Sequence, residues 1–473
     1  MFLGLGGAVA IQLLPVPDGL SADAWITVSL VWLMASWWVT EAVPIPITAL
    51  LPLIVLPAFS VMSFRDAAAP FSNPTIMLLM GGFIIATAVE RWNLHARIAL
   101  NIVYKAGERP AALVGGFMLA SALLSMWISN TATTIMLAPI AVSVGRAIVG
   151  PENKGAPLTV AILLGLAYGA SIGGIATPVG TPTNLIVMAY LNEQFGIQIS
   201  FAQWIKIGLP VALVMLPAAW LCLTRFAQKI EVDSARAGSD ILKQEISRLG
   251  AMSVAEKRVL FTFAFIAACW VFRSPLNALE LFGVAIFAGV TDHLIAIFGA
   301  VILFLIPAGT TRERLLDWPT AVKIPWGVLL LFGGGLSMAS AISKTGLAAW
   351  LGVQMAGVAS LPLLLMLVVL VAFVIFATEL ASNVATASAL LPLIGALAVA
   401  SGQDPILMSI PIAMAASCAF MLPIATGPNA IAFATGEVSI AKMARIGLLL
   451  NLLGVVLIST VLYLGAGFLL PDA

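Results

Sequence analysis

Two short clusters of small polar residues interrupt an otherwise apolar chain. The first, Ser-Asn-Thr-Ala-Thr-Thr, occupies residues 129–134, and the second, Ser-Asn-Val-Ala-Thr-Ala, occupies residues 382–387, an offset of 253. Hydroxyl and carboxamide oxygens are hard donors that suit a hard cation. Where such a cluster opens a helix, the free amides of the first turn also favour an anion. One motif of this kind can hold a small cation on one side and a carboxylate on the other. Each half carries a second polar break, Ile-Ala-Thr-Pro-Val-Gly-Thr-Pro-Thr-Asn at 175–184 and Pro-Ile-Ala-Thr-Gly-Pro-Asn-Ala at 423–430. Proline and glycine interrupt the helix there. In hydrocarbon the freed carbonyls and amides are tolerated only where they line a cavity or hold an ion.

Other residues that could do chemistry are few. Glu379 lies three positions before Ser382. An intramembrane carboxylate is a functional candidate, here either a proton site or a bond to local backbone. His95 and His293 fall near segment ends and read as surface or capping residues. Cys222, Cys269 and Cys418 have neither metal nor disulfide spacing and read as small buried hydrophobes. The chain has no His-Glu-x-x-His, no Walker A loop and no triad-like histidine, so a membrane enzyme is not expected. No lysine or arginine occurs from 110 to 145 or from 345 to 441. An anion bound by these motifs must therefore be neutralised by helix dipoles and co-bound cations, which points to sodium coupling. A dianion entering against the membrane potential costs about 4.6 kcal/mol per 100 mV. More than two monovalent cations would make its import electrically favourable.

The elements that position these motifs follow from composition and apolar runs. Hydrophobic residues make up 61% of the chain, charged residues 9%, and the mean hydropathy is +1.10. This is the composition of a polytopic helical membrane protein. The net charge of +1 suggests no nucleic-acid partner. The chain opens directly in an apolar segment, with no cleavable signal expected. Helical segments are expected near 2–15, 25–41, 44–60, 74–92, 110–148, 157–190, 204–226, 258–272, 279–309, 325–343, 360–400, 406–435 and 444–470. The polar stretch 227–257 reads as a surface helix or linker between two halves.

Segments 110–148 and 360–400 are long for one span and barely enough for two, so each is read as a re-entrant hairpin. With the central linker in the cytoplasm, 18 of the 22 lysines and arginines fall inside. Arg65, Lys206, Arg273 and Lys344 fall outside. That bias supports the topology. It also makes the two hairpins enter from opposite sides, so the halves are inverted. The offset of 253 further places Gly81-Gly82 on Gly334-Gly335, Arg91 on Lys344 and Leu94 on Leu347. At the second break the offset is 245, with Asn184 on Asn429. Inverted repeats with broken helices are the layout of secondary transporters, whose sites lie near the midplane where half-helix ends meet. Tryptophans 37, 38, 127, 204, 318 and 326 fit interfacial anchors, and residues 40–46 a tight turn.

Paired Ser-Asn motifs on hairpins, each followed by a Thr-Pro or Pro-Asn break, resemble the divalent anion–sodium symporters over essentially the whole chain. The resemblance implies an all-α polytopic membrane protein with two inverted repeats, working by an elevator motion. It implies scaffold helices at 1–109 and 258–359 and transport parts at 110–226 and 360–473, joined by the linker at 227–257. The implied function is sodium-coupled import of C4-dicarboxylates such as succinate, malate and fumarate. A sodium-independent dicarboxylate exchanger, or a sulfate or citrate transporter of the same family, is the alternative, and proton-coupled anion efflux is a further one. By resemblance, the first sodium site comprises Ser125, Ser129, Asn130 and Gly180, and the second Thr378, Ala381, Asn383 and Ala425. The substrate would meet Ser129, Asn130, Thr131, Ser382 and Asn383, with Thr181, Pro182, Thr426 and Gly427 completing the walls. Co-transported sodium with no organic cofactor, a homodimer, and a bacterial inner membrane are likewise implied. Two residues depart from the family pattern. Val384 replaces a threonine, removing a hydroxyl worth roughly 1.5–3 kcal/mol to a charged acceptor and shifting preference away from a symmetric C4-dicarboxylate. Gly427 replaces a proline and is expected to loosen the backbone beside the second cation site.

Overall fold

The computed structural model describes residues 1–226, 236–281, 284–309, 312–355, 357 and 361–469, and these are almost entirely helical. The first half runs through α1 (Phe2–Leu13), α2 (Ala22–Thr40), α3 (Ile45–Thr48), α4 (Leu51–Ala58), α5 (Phe64–Ala68) and α6 (Pro74–Arg91). It continues with α7 (Leu94–Ala106), α8 (Pro110–Ser125), α9 (Asn130–Val149), α10 (Pro157–Ile175), α11 (Pro182–Phe195) and α12 (Phe201–Leu221). A connecting helix, α13 (Arg236–Arg248), precedes α14 (Val254–Val271), α15 (Arg273–Asn277), α16 (Asp292–Leu305), α17 (Trp318–Ala321), α18 (Trp326–Lys344) and α19 (Leu347–Gln354). The chain closes with α20 (Leu363–Thr378), α21 (Asn383–Ser401), α22 (Pro405–Ala416), α23 (Gly427–Ala434) and α24 (Ile440–Leu469). Among the described residues, 8 helices are long and apolar enough to cross a membrane.

Three expectations about segments are corrected. The run at 44–60 is two helices, because Pro52 has no N–H to bond the Thr48 carbonyl and the backbone turns at Leu50. The run at 279–309 is helical only from Asp292. Ahead of it, β1 (Glu280–Leu281) pairs antiparallel with β2 (Val284–Ala285), and Thr291 caps the helix through the Leu294 amide. Leu94–Ala106, covered by none of the expected segments, is an amphipathic helix. The polar linker does form a surface helix, α13, packed on α7 and α9, although residues 227–235 lie outside the described part.

Both expected hairpins are present, α8–α9 and α20–α21. Their first arms are 16 residues each, or about 24 Å at 1.5 Å per residue. That falls short of a hydrocarbon core of about 30 Å, so each arm turns at a short tip and comes back. The two expected helix breaks separate α10 from α11 and α22 from α23. Helix α10 is buried along its entire length, enclosed by α8, α9, α12 and α23. Its contact with α8 is close enough that a Cβ on Gly173 would lie 2.2 Å from the Ala122 carbonyl oxygen.

The matched diglycines divide their work the same way in both halves. A Cβ on Gly81 would lie 2.7 Å from the backbone of Ala296 in α16, and one on Gly334 would lie 2.1 Å from the Ala49 carbonyl oxygen. The second glycine of each pair faces a motif-bearing segment. A Cβ on Gly82 would lie 3.2 Å from Val179 in the first break, and one on Gly335 would lie 2.9 Å from Ser388 of α21.

Candidate functional site

The two hairpin tips have the same backbone conformation. Ser129 has φ −55 and ψ 134, Ser382 has φ −58 and ψ 135, and each precedes the first residue of a helix. The Ser129 hydroxyl accepts the Ala132 amide at 3.1 Å, whereas Ser382 makes no such cap. The two breaks match as well. Thr181 (φ −140, ψ 140) and Thr426 (φ −142, ψ 152) are both extended N-caps with proline in the first turn that follows.

Tips and breaks meet around one cavity of about 1050 Å³. Ser129, Asn130 and Thr131 line it from the first hairpin, and Ala381, Ser382, Asn383 and Val384 from the second. Gly180, Thr181 and Pro182 line it from the first break, and Ala425, Thr426 and Gly427 from the second. Every residue assigned above to the substrate thus borders this space. Ser125 and Thr378 lie behind it, fully buried. Another cavity, of about 870 Å³, separates α11 from α18, α19 and α21. Its walls are mostly apolar and it holds none of the motif residues.

The two groups assigned to sodium differ in how far their oxygens are already committed. In the first, the Ser125 hydroxyl and Asn130 Oδ1 are buried with no hydrogen-bond partner. A Cβ on Gly180 would lie 2.5 Å from the Gly174 carbonyl oxygen and 2.8 Å from that of Ser125. One on Gly174 would lie 2.9 Å from Asn130 Oδ1 and 3.2 Å from the Gly180 oxygen. Two oxygens thus crowd each of these two glycines, and of the four the Gly174 carbonyl already accepts Asn184 Nδ2 at 3.0 Å. In the second group the Thr378 hydroxyl contacts Asn383 Oδ1 at 2.8 Å and the Ala416 carbonyl oxygen at 3.1 Å. Those oxygens already have partners.

Gly427 has a steric role beside the conformational one expected. A Cβ there would lie 2.2 Å from the Thr131 hydroxyl. The glycine makes room for the first hairpin's threonine to lean against the second break. Val384 packs partly against both apolar clusters of the fold while bordering the cavity.

Glu379 has four hydrogen-bond partners. Its carboxylate accepts the backbone amides of Phe420, Met421 and Leu422 at 2.7, 2.8 and 2.9 Å and the Asn451 amide at 2.8 Å. It satisfies donors exposed by the second break, so the backbone it bonds is distant in sequence and not the local backbone expected. The first break has no such carboxylate. There the Thr177 hydroxyl donates to the Met126 carbonyl and accepts the Gly180 amide.

Sequence reasoning missed several residues near the site. Gly174, beside the first break, carried a signal, since glycines cluster immediately before it. Glu41, Glu90 and Lys323 border the cavity too, although motif spacing gave no sign of them. Lys323 is thus a fixed cation at the cavity border, although it lies outside both stretches that lack lysine and arginine. Away from the cavity, Glu437 joins the base of the first hairpin to the turn before α24. Its carboxylate accepts Arg146 Nη2 at 2.6 Å and the Gly155 amide at 2.6 Å. Burial alone would raise its pKa, but the Gly155 amide and the Arg146 guanidinium outweigh burial and hold it below the ordinary glutamate range.

Residues 3–467 match the family described as the sodium:sulfate symporter transmembrane region. The chain is 41% identical over 467 residues to the sodium-dependent dicarboxylate transporter SdcS of Staphylococcus saprophyticus, covering 96% of this chain and 88% of that protein. It is 38% identical over 438 residues to the transporter of the same name from Staphylococcus aureus strain USA300, covering 91% and 84%. Among solved structures, the YdaH transporter of Alcanivorax borkumensis, described as having an unusual topology, superposes with a TM-score of 0.60 at 16% identity. That match spans 95% of this chain and all of that one, a likeness of fold alone. With both inverted motif pairs in place and the match running nearly end to end, the chain belongs to the divalent anion:sodium symporter family.

Proposed function

We propose that this protein imports C4-dicarboxylates together with sodium across a bacterial inner membrane. The observation that carries the proposal is the meeting of both Ser-Asn tips and both helix breaks, from inverted halves, around one cavity. Each carboxylate of a short dianion would face one tip, with the first-turn amides of α9 and α21 supplying partial positive charge. Cations behind the tips, at the Ser125–Asn130–Gly180 and Thr378–Ala381–Asn383–Ala425 groups, would neutralise the dianion from the far side. Glu41, Glu90 and Lys323 border the same cavity, and the charge bias of the loops assigns these residues to the cytoplasmic side. The cavity is thus read as open inward. Movement of 110–226 and 360–473 against 1–109 and 258–359, in an elevator manner and within a homodimer, would carry the site across. The 38–41% identity to transporters named for sodium and dicarboxylate supports this substrate over sulfate.

The test is radiolabelled succinate uptake into proteoliposomes, with an inward sodium gradient or with potassium in its place. Sodium-dependent uptake that falls in Asn130→Ala and Asn383→Ala supports the reading. Uptake that ignores sodium and requires internal dicarboxylate makes the protein an exchanger. Absence of both, with sulfate or citrate competing, moves the substrate assignment.

A further inference from the structure

Asn184 and Asn429 are matched by the repeat, yet no role for them follows from the substrate or cation assignments. Each is the third residue of the half-helix after a break, α11 or α23, and each is fully buried. Asn184 Nδ2 donates to the carbonyl oxygens of Gly174 at 3.0 Å and Thr177 at 2.8 Å. Asn429 Nδ2 donates to those of Ala419 at 3.0 Å and Leu422 at 3.1 Å. In both halves the acceptors lie ten and seven residues upstream. One nitrogen with two hydrogens spans the break and binds two carbonyls that lost their helical partners. In both, Oδ1 is buried without a partner, so the hydrogen bonds that hold each side chain run through its amide nitrogen.

The acceptor Gly174 is also the residue wedged against Asn130 Oδ1 and the Gly180 carbonyl. Its position therefore bears on how closely Asn130 Oδ1 and the Gly180 carbonyl approach the break. We propose that Asn184 and Asn429 are the positioning residues of the two cation sites, each clamping its break so that the free carbonyls keep a spacing suited to sodium. The proposal rests on the sodium reading given above. Asparagine is required because aspartate would aim an acceptor at two carbonyl oxygens and an aliphatic residue would leave the Gly174 and Ala419 carbonyls unbound, Thr177 and Leu422 keeping the Gly180 and Ala425 amides.

The experiment is succinate uptake in proteoliposomes as a function of sodium and of lithium, for wild type, Asn184→Ala, Asn429→Ala and Asn130→Ala. Loss of an outer group that orients cation ligands typically weakens affinity about 10–100-fold. Each clamp variant is therefore expected to raise half-saturating sodium about tenfold or more. The ratio of lithium-driven to sodium-driven uptake should rise as the cage relaxes. Equal loss of rate with both cations at unchanged half-saturation would mean a merely structural role and overturn the proposal. If an alanine variant does not fold, Asn184→Ser, which keeps one donor, is read the same way. Its failure to shift half-saturating sodium overturns the proposal equally. If Asn130→Ala leaves sodium activation at the wild-type value, the cation-site reading itself fails. If Asn130→Ala shifts it and the clamp variants do not, only the clamp fails.

Discussion

Replacing Glu379 by glutamine separates a structural carboxylate from a proton carrier. The carboxylate accepts four hydrogen bonds, three from consecutive amides at 420–422 and one from Asn451. Glutamine keeps the shape but offers one acceptor oxygen, and its amide nitrogen turns a donor toward at least one other donor. Hydrogen bonds to a charged group contribute about 1.5–3 kcal/mol each, and a buried donor left unpaired costs about 1–3 kcal/mol. With its oxygen at the Oε1 position glutamine keeps the bonds from Phe420, Met421 and Asn451 and loses that from Leu422, which destabilises the second break by about 1.5–3 kcal/mol. The measurement is thermal unfolding of purified Glu379→Gln in detergent, with Asn451→Leu and the double variant completing a cycle. A coupling energy of about 1.5–3 kcal/mol is expected between the two positions. Uptake by the glutamine variant should be weak yet keep the wild-type response to a protonophore. A glutamine variant of wild-type stability, with uptake that has lost a dependence on the proton gradient, would refute the capping argument and make Glu379 a carrier.

Three further outcomes are expected. Val384→Thr supplies a hydroxyl facing the second carboxylate and should lower the KM for succinate about tenfold, whereas Gly427→Ala, with its Cβ 2.2 Å from the Thr131 hydroxyl, should raise it. Because Glu437 is held below the ordinary glutamate value of 4.5, its tie is fully present above that pH and is lost as pH falls through the lowered value. A stability scan from about pH 6 to 3 should show an acid loss that Glu437→Gln removes. Gly335→Ala should slow turnover several-fold while sparing succinate binding. Gly82→Ala should do less, since the Val179 methyl it meets at 3.2 Å can give way more readily than Ser388 at 2.9 Å.

Membrane class, both hairpins and both breaks were legible because hydrocarbon leaves so few options for a polar interruption in an apolar run. The cavity lining was legible for a related reason, since the repeat offset pairs Ser129 with Ser382 and Thr181 with Thr426. What local pattern could not show was which partner each polar atom finds. Glu379 is three residues from the second tip in sequence, but its donors come from 420–422 and 451. The function of Gly427 depends on Thr131, nearly three hundred positions away, and Lys323 reaches the cavity from a segment with no motif. The split of 44–60 was readable from Pro52, whereas the β pair of Glu280–Leu281 and Val284–Ala285 replaced helix inside an apolar run that periodicity cannot resolve.

The burial of α10 has a consequence for how the chain is made. Helix α10 has hydropathy high enough to enter a bilayer alone, yet in the finished protein it offers no face to lipid. Three of its neighbours, α8, α9 and α12, come from the same half, and the fourth, α23, emerges more than two hundred and fifty residues later. During synthesis α10 must therefore wait in lipid with one side bare until the last part of the chain is inserted. The first half, expressed alone, would present that bare side as a surface for other helices. Coexpressing the two halves as separate polypeptides should let α23 cover it and rescue the first half from degradation.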